Sequence, residues 1–169
     1  MELIKAISKK KLPSVQIINT ETASENEIIL ELIDVKVNID FRFSEIADEI
    51  EASKYILELE QGWDGENAEI IKSEIWKAAT KFLINAALEI NKEYSVIIQT
   101  PEINPVKDGS IDLSWRTEKA RMLINVRERA GEMVANYYGD FYNNEKPRKG
   151  SDSLDSNIED LVVWMRNLV

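Results

Sequence analysis

At 169 residues with 44% hydrophobic and 31% charged side chains, the chain has the size and composition of one folded domain, and folding at this length hides roughly 68–70% of the unfolded surface. It contains no cysteine and no histidine, which removes disulfides, thiolate nucleophiles, cysteine-ligated zinc, imidazole bases and Ser-His-Asp triads. Any catalysis would fall to carboxylates, Lys, Tyr or Ser. Acids outnumber bases 31 to 21, a net charge of −10.

Met1 to Leu12 carries Lys5, Lys9, Lys10 and Lys11 without an apolar run of signal-peptide length, and no later stretch approaches the roughly 20 apolar residues of a membrane span. A soluble, cytoplasmic protein with no membrane partner is expected. A short strand is expected around Val15 to Ile18 and a polar loop over Thr20 to Asn26. Ile28 to Phe43 follows, and from Val35 its apolar residues Val37, Ile39, Phe41 and Phe43 alternate with polar ones, the period of a half-buried strand.

Ser44 is placed as a helix N-cap, with Glu45, Asp48 and Glu49 near the positive end of the helix dipole. Ile46, Ile50 and Leu57 make one apolar stripe, and Gly62 is the expected stop. After the corner Gly62-Trp63-Asp64-Gly65, Ser73 is expected to cap a second helix. Its Ile75, Trp76, Ala79, Phe82, Leu83, Ala86 and Ile90 repeat at helical spacing, a broad stripe suited to lie across a sheet.

Ser95 to Thr100 is rich in β-branched residues, Pro101 and Pro105 bracket an extended segment, and Asp108-Gly109 is a type I′ turn signal before Ile111, Leu113 and Trp115. Met122, Ile124 and Val126 mark a further strand, as do Met133, Ala135 and Tyr137, with Glu128 to Gly131 as the turn between them. Together these predict an antiparallel meander. Tyr138 pointing outward while Tyr137 points in would leave one aromatic free for a contact; Trp63, Trp76, Trp115 and Trp164 are expected in or against the core. Asn143 to Asp152 is predicted to be an exposed loop, and Ser156 to Glu159 a capping box opening a third helix through Leu161, Val162, Met165 and Leu168. The fold class is therefore α+β, an antiparallel β-meander packed against about three α-helices. It is expected to form one domain over residues 1–169, with residues 1–26 the part the sequence specifies least.

Charge is distributed unevenly. From Ser44 to Ile70 the acids Glu45, Asp48, Glu49, Glu51, Glu58, Glu60, Asp64, Glu66 and Glu69 face the single base Lys54, so this segment holds eight of the ten net negative charges. Such a surface repels phosphates and suits a basic protein partner, including a nucleic-acid-binding protein whose groove it would fill. Direct nucleic-acid binding would need a separate basic site from Lys9 to Lys11 and Lys146 to Lys149. Glu45, Asp48, Glu49, Glu58, Asp64 and Glu66 are the candidate partner-binding residues.

The corner and the Asp108-Gly109 pair are each explained by turn chemistry. Asp64, Asp108, Asp112 and Asp140 would hold Mg²⁺ or Ca²⁺ only if folding brought them together. No calcium loop, phosphate-binding Gly-rich loop or dinucleotide fingerprint is present, and no cofactor is expected.

The run Leu57-Glu58-Leu59-Glu60-Gln61-Gly62-Trp63-Asp64-Gly65-Glu66-Asn67-Ala68, then a helix, then Asp108-Gly109-Ser110-Ile111-Asp112-Leu113-Ser114-Trp115, resembles a family of small uncharacterised bacterial and phage proteins. Their pattern is a Gly/Asn-Trp-Asp-Gly corner followed by an Asp-Gly hairpin ending in Trp. The likeness covers Leu57 to Asp140, about half of the chain. It implies the order helix, corner, helix, meander and no particular activity. Three functions stand as expectations: a non-catalytic interaction or regulatory module docking through the acidic face, a carboxylate-dependent divalent-metal hydrolase, and a structural subunit in which Ile158 to Val169 packs on a neighbour.

Overall fold

The computed structural model describes residues 26–143, 146–155 and 159–169. The expected strand at Val15 to Ile18, the loop before Asn26 and Ser156 to Ile158 of the capping box lie outside the described residues. The fold is α+β, with a two-stranded and a five-stranded antiparallel sheet and three α-helices among the described residues. Among the described residues no helix is long and apolar enough to cross a membrane.

Ile28 to Phe43 is a hairpin rather than one strand. Strands β1 (Glu27–Leu32) and β2 (Val35–Asp40) pair from Glu27↔Asp40 to Leu32↔Val35. The chain reverses at Ile33-Asp34, where Ile33 is a β-branched residue held at φ 63° and Asp34 alone, without a glycine or asparagine, marks the turn. Leu30, Leu32, Val37 and Ile39 are buried on one face. The alternation then breaks, because Asp40 Oδ1 accepts from the Arg42 backbone N–H at 2.8 Å and winds Phe41–Phe43 into a 3-10 turn. Phe41 is left 62% exposed and Phe43 is buried.

That turn runs straight into α1 (Ser44–Ala52). The helix N-cap is Phe43, with no side-chain hydrogen bond, and Ser44 is already helical. The capping expected of Ser44 is thus supplied one turn earlier by Asp40. After Ala52 the chain tightens into a 3-10 segment, Ser53–Glu58, with three residues per turn, so Ile50, Ser53 and Ile56 line up and are all buried. Leu57, placed in the stripe by a 3.6-residue period, is 36% exposed instead. The α-helix therefore ends well before Gly62.

Helix α2 (Ser73–Tyr94) buries every residue of the predicted stripe. Its N-cap is Lys72, without a side-chain cap, while the Ser73 hydroxyl bonds the Glu74 carboxylate at 3.1 Å. Ser95 closes the helix in the left-handed conformation, its N–H donating to Asn91 O at 2.8 Å. Trp76 Nε1 donates to Ser53 Oγ at 3.0 Å and Ser53 Oγ donates to Ile50 O at 2.7 Å, a buried polar chain that pins the 3-10 segment to α2.

The meander comprises β3 (Glu102–Pro105), β4 (Ile111–Arg116), β5 (Ala120–Arg129), β6 (Glu132–Phe141) and β7 (Arg148–Ser153), neighbours throughout. The β3–β4 loop is longer than a two-residue type I′ turn. Val106 N–H bonds Ser110 O, Gly109 N–H bonds Val106 O, and Gly109 takes φ 82°, the pattern of a three-residue loop. The type I′ character belongs instead to Ala130-Gly131 between β5 and β6, where both φ values are positive. The segment expected as a loop over Asn143 to Asp152 contains β7. Its sequence, Arg-Lys-Gly-Ser-Asp-Ser, shows no apolar alternation because its partner β6 recruits it through the backbone.

Ile103, Leu113 and Ile124 occupy one register row of the inner face, Ile111, Val126 and Ala135 the next, and all six are buried. Helix α3 (Glu159–Met165) closes one end, burying Leu161, Val162, Trp164 and Met165. Trp164 lies over Gly139, where an added Cβ would come within 2.7 Å of the indole ring.

Candidate functional site

Helix α1 turns Ile46, Ala47 and Ile50 inward, so Glu45, Asp48, Glu51 and Ala52 face solvent, and the exposed face continues to Tyr55. Glu58, Glu60, Asp64, Glu66 and Glu69 extend the exposed acids through the corner. Among the described residues, Glu51 alone of the nine acids forms an ion pair, with Lys54 at 2.7 Å. Tyr55, 49% exposed, and Leu57 add apolar surface within the same segment.

Two of the six candidate docking residues have other work. Glu49 is half-buried, and its Oε1 accepts from the Ile103 backbone N–H at 2.9 Å, tying α1 to the outer edge of β3. Asp64 Oδ1 accepts from the N–H groups of Glu66 at 2.9 Å and Ala68 at 3.1 Å, which hold its carboxyl below the usual range. Neither role was visible in the sequence, since both depend on backbone donors brought up by tertiary structure or by a turn.

The Gly62-Trp63-Asp64-Gly65 corner is a folded loop. Gly62 N–H bonds Ala68 O at 2.8 Å, Gly65 N–H bonds Gly62 O at 2.9 Å, and both glycines have positive φ. Trp63 is half-buried and is anchored by its indole N–H to Glu69 O at 3.1 Å rather than sunk into the core. Glu69 N–H in turn bonds Lys107 O at 2.8 Å, joining the corner to the β3–β4 loop.

The four aspartates do not converge on one point, and only Asp108 and Asp112 are linked, through Ser110 and Asn125. Asp64 is bound within its loop. Asp108 accepts from Ser110 and forms an ion pair with Arg127; burial pushes its carboxyl up, but the Ser110 hydrogen bonds and the guanidinium outweigh this and leave it lowered. Asp112 accepts from Asn125 Nδ2 at 2.7 Å, and that same Nδ2 donates to Ser110 Oγ at 2.7 Å, so Asp108 and Asp112 share one polar network. Asp140 pairs with Arg121 at 3.2 Å. Among the described residues no three acidic side chains are arranged to hold a metal ion.

A second surface was indicated in the sequence only by Tyr138. On the outer face of the meander, Glu102, Ser114, Leu123, Tyr138 and Lys149 stand in one register row, with Arg116, Arg121 and Asp140 in the next. Tyr138 does point outward while Tyr137 packs against the core. The Arg121 guanidinium lies 5.5 Å from the Tyr138 ring centroid. A shallow depression of about 570 Å³ opens between these rows.

Comparison with protein-family models, with curated proteins and with solved structures finds no match to this chain. The resemblance of its corner and hairpin therefore rests on those motifs alone.

Proposed function

We propose that this chain is a non-catalytic interaction protein that docks on a basic protein surface through α1, the 3-10 segment and the corner. The observation that supports this most is the run of exposed carboxylates at Glu45, Asp48, Glu58 and Glu66, none of them in an ion pair among the described residues. Carboxylates that only keep a protein soluble are commonly interspersed with bases; here one lysine serves nine acids. Tyr55 and Leu57 supply the apolar contact that a purely electrostatic surface lacks. A nucleic-acid-binding protein is a natural partner, its phosphate-binding surface being already cationic.

The divalent-metal reading has less behind it, because Asp64, Asp108 and Asp140 each have local partners. The subunit reading has less as well, because α3 turns Leu161, Val162, Trp164 and Met165 into the chain's own core and leaves only Val163 of its apolar residues exposed.

The test is a joint Glu45→Lys, Asp48→Lys, Glu58→Lys and Glu66→Lys variant, which leaves Glu49 and Asp64 to the fold. Tagged parent and variant are used to capture partners from the native host in low salt and in about 1 M salt, where the screening length shrinks to about 3 Å. A stoichiometric basic protein retained by the parent, and lost from the variant and in high salt, supports electrostatic docking. An identical set of captured proteins for parent and variant would refute it.

A further inference from the structure

The outer face of the meander carries a charge arrangement that folding alone does not favour. Arg116 and Arg121 are direct partners in the β4–β5 ladder, so two guanidinium groups leave the same face side by side. Like charges directly opposite on antiparallel strands are destabilising. Arg121 is compensated by Asp140 at 3.2 Å and by the Tyr138 ring, whereas Arg116 is exposed and has no carboxylate partner among the described residues. In a chain of net charge −10, an uncompensated arginine beside another arginine marks a place where an anion would be welcome.

The surroundings narrow the anion. Tyr138 and Leu123, 37% and 39% exposed, form an apolar shelf next to the arginines, with the Arg121 guanidinium 5.5 Å from the Tyr138 ring centroid at its edge toward the phosphate position. Beyond them Ser114 and Glu102 continue the row with a hydroxyl and a carboxylate. The depression they share, about 570 Å³, lies within the range of about 300–1,000 Å³ usual for small-molecule sites. We propose that it binds a nucleoside 5′-monophosphate, with the phosphate between Arg116 and Arg121, the base on the Tyr138–Leu123 shelf and the ribose hydroxyls toward Ser114 and Glu102.

The charge count favours one phosphate over several. Asp140 already offsets one of the two arginines and the Glu102 carboxylate lines the same depression, leaving too little positive charge for a polyphosphate. A single-stranded nucleic acid is disfavoured for a related reason, since Asp112 and Asp140 share the face it would have to cross. Arginine is the fitting residue here because its planar fork matches phosphate oxygens in pairs and stacks on aromatic rings.

Calorimetric titration of the full chain with AMP and UMP tests the proposal, with adenosine, inorganic phosphate and a short single-stranded oligonucleotide as separate arms. The expected result is saturable one-to-one binding of a nucleotide, weakened at least about tenfold when either its phosphate or its base is removed. Arg116→Gln should weaken it by about tenfold or more while leaving the free protein's melting temperature equal or higher, because the like-charge pair is relieved. Tyr138→Leu should weaken binding through loss of the aromatic shelf, and Glu132→Gln, at the far end of β6, should not change it. No saturation by about 5 mM of either nucleotide, or unchanged binding in Arg116→Gln, would overturn the proposal. Phosphate binding as tightly as the nucleotide would reduce the site to a bare anion site, and an oligonucleotide binding far more tightly would make the ligand a polymer; either outcome also overturns it.

Discussion

Replacing Ser53 by alanine removes the one hydroxyl that joins the acidic segment to α2. Ser53 Oγ accepts from Trp76 Nε1 and donates to Ile50 O, and Ser53 and Trp76 are 2% and 0% exposed. In Ser53→Ala the indole N–H loses its partner at a site buried from solvent, and a buried orphaned donor costs about 1–3 kcal/mol. The hydroxyl is small, so the packing loss is minor and about 2 kcal/mol is expected. In a chain of this length 1 kcal/mol moves the melting temperature by about 2–4 °C, giving a fall of about 4–8 °C. Urea unfolding followed by tryptophan fluorescence and circular dichroism should show a lower midpoint with an unchanged slope, because the surface exposed on unfolding is the same. In a Trp76→Phe background, where no indole donor is left to orphan, the same replacement should cost at least about 1 kcal/mol less. Equal costs in the two backgrounds, or a loss below about 0.5 kcal/mol in the parent, would show that the segment is held by its apolar face alone.

Three further outcomes follow from the geometry. Glu49→Ala should destabilise the fold by about 1 kcal/mol through the freed Ile103 N–H, while Glu58→Ala, exposed and without an ion pair, should stay within about 0.5 kcal/mol of the parent; thermal melts of both separate structural acids from docking acids. Asp64 is held below its usual range first by the Glu66 N–H and then by the Ala68 N–H, so its stabilisation is present above the unfolded value of about 4 and is lost as pH falls through the lower folded value. Asp64→Asn should be less stable than the parent at neutral pH, and the gap should close on acidification; a gap that widens in acid would reverse the argument. Ile33→Asn should raise stability by about 1 kcal/mol, since asparagine tolerates a φ of 63° that a β-branched residue resists, and a lowered midpoint in urea would count against strain at the hairpin tip.

The parts of the fold legible in the sequence are those where burial is one-sided and regular. The α2 stripe from Ile75 to Ile90 and the alternation along β5 follow from a single apolar face and are as predicted, whereas along β6 Met133 and Val134 are alike half-buried and only Ala135 of the expected residues is fully buried. What was hidden depends on non-local backbone pairing. β7 is polar because its pairing to β6 is made by main-chain groups, and the Ile33-Asp34 reversal lacks the glycine or asparagine that would have announced it. The 3-10 segment after α1 changed the period from 3.6 to 3.0, so Ile56 is buried where Leu57 was expected. The candidate site divides in the same way. The concentration of acids was plain from composition, but which of them are already engaged required the positions of Ile103, Glu66 and Ala68. The paired arginines on the outer sheet face could be found only once the β4–β5 register was known.

The outer edge of β3 is closed to further strand pairing. The N–H of Ile103 points away from β4 and is taken by the Glu49 carboxylate, and two residues on, where the next outward N–H would be, stands Pro105, which has none. Both outward donor positions of this strand are therefore closed, one by a side chain and one by an imino ring. An edge strand with free donors is a template on which another chain can add a strand, and stacking of that kind leads to open-ended aggregates. Glu49 thus guards solubility in a way unrelated to its charge in water: with it gone, the edge regains a donor, and growth of the sheet from one molecule to the next has a place to begin.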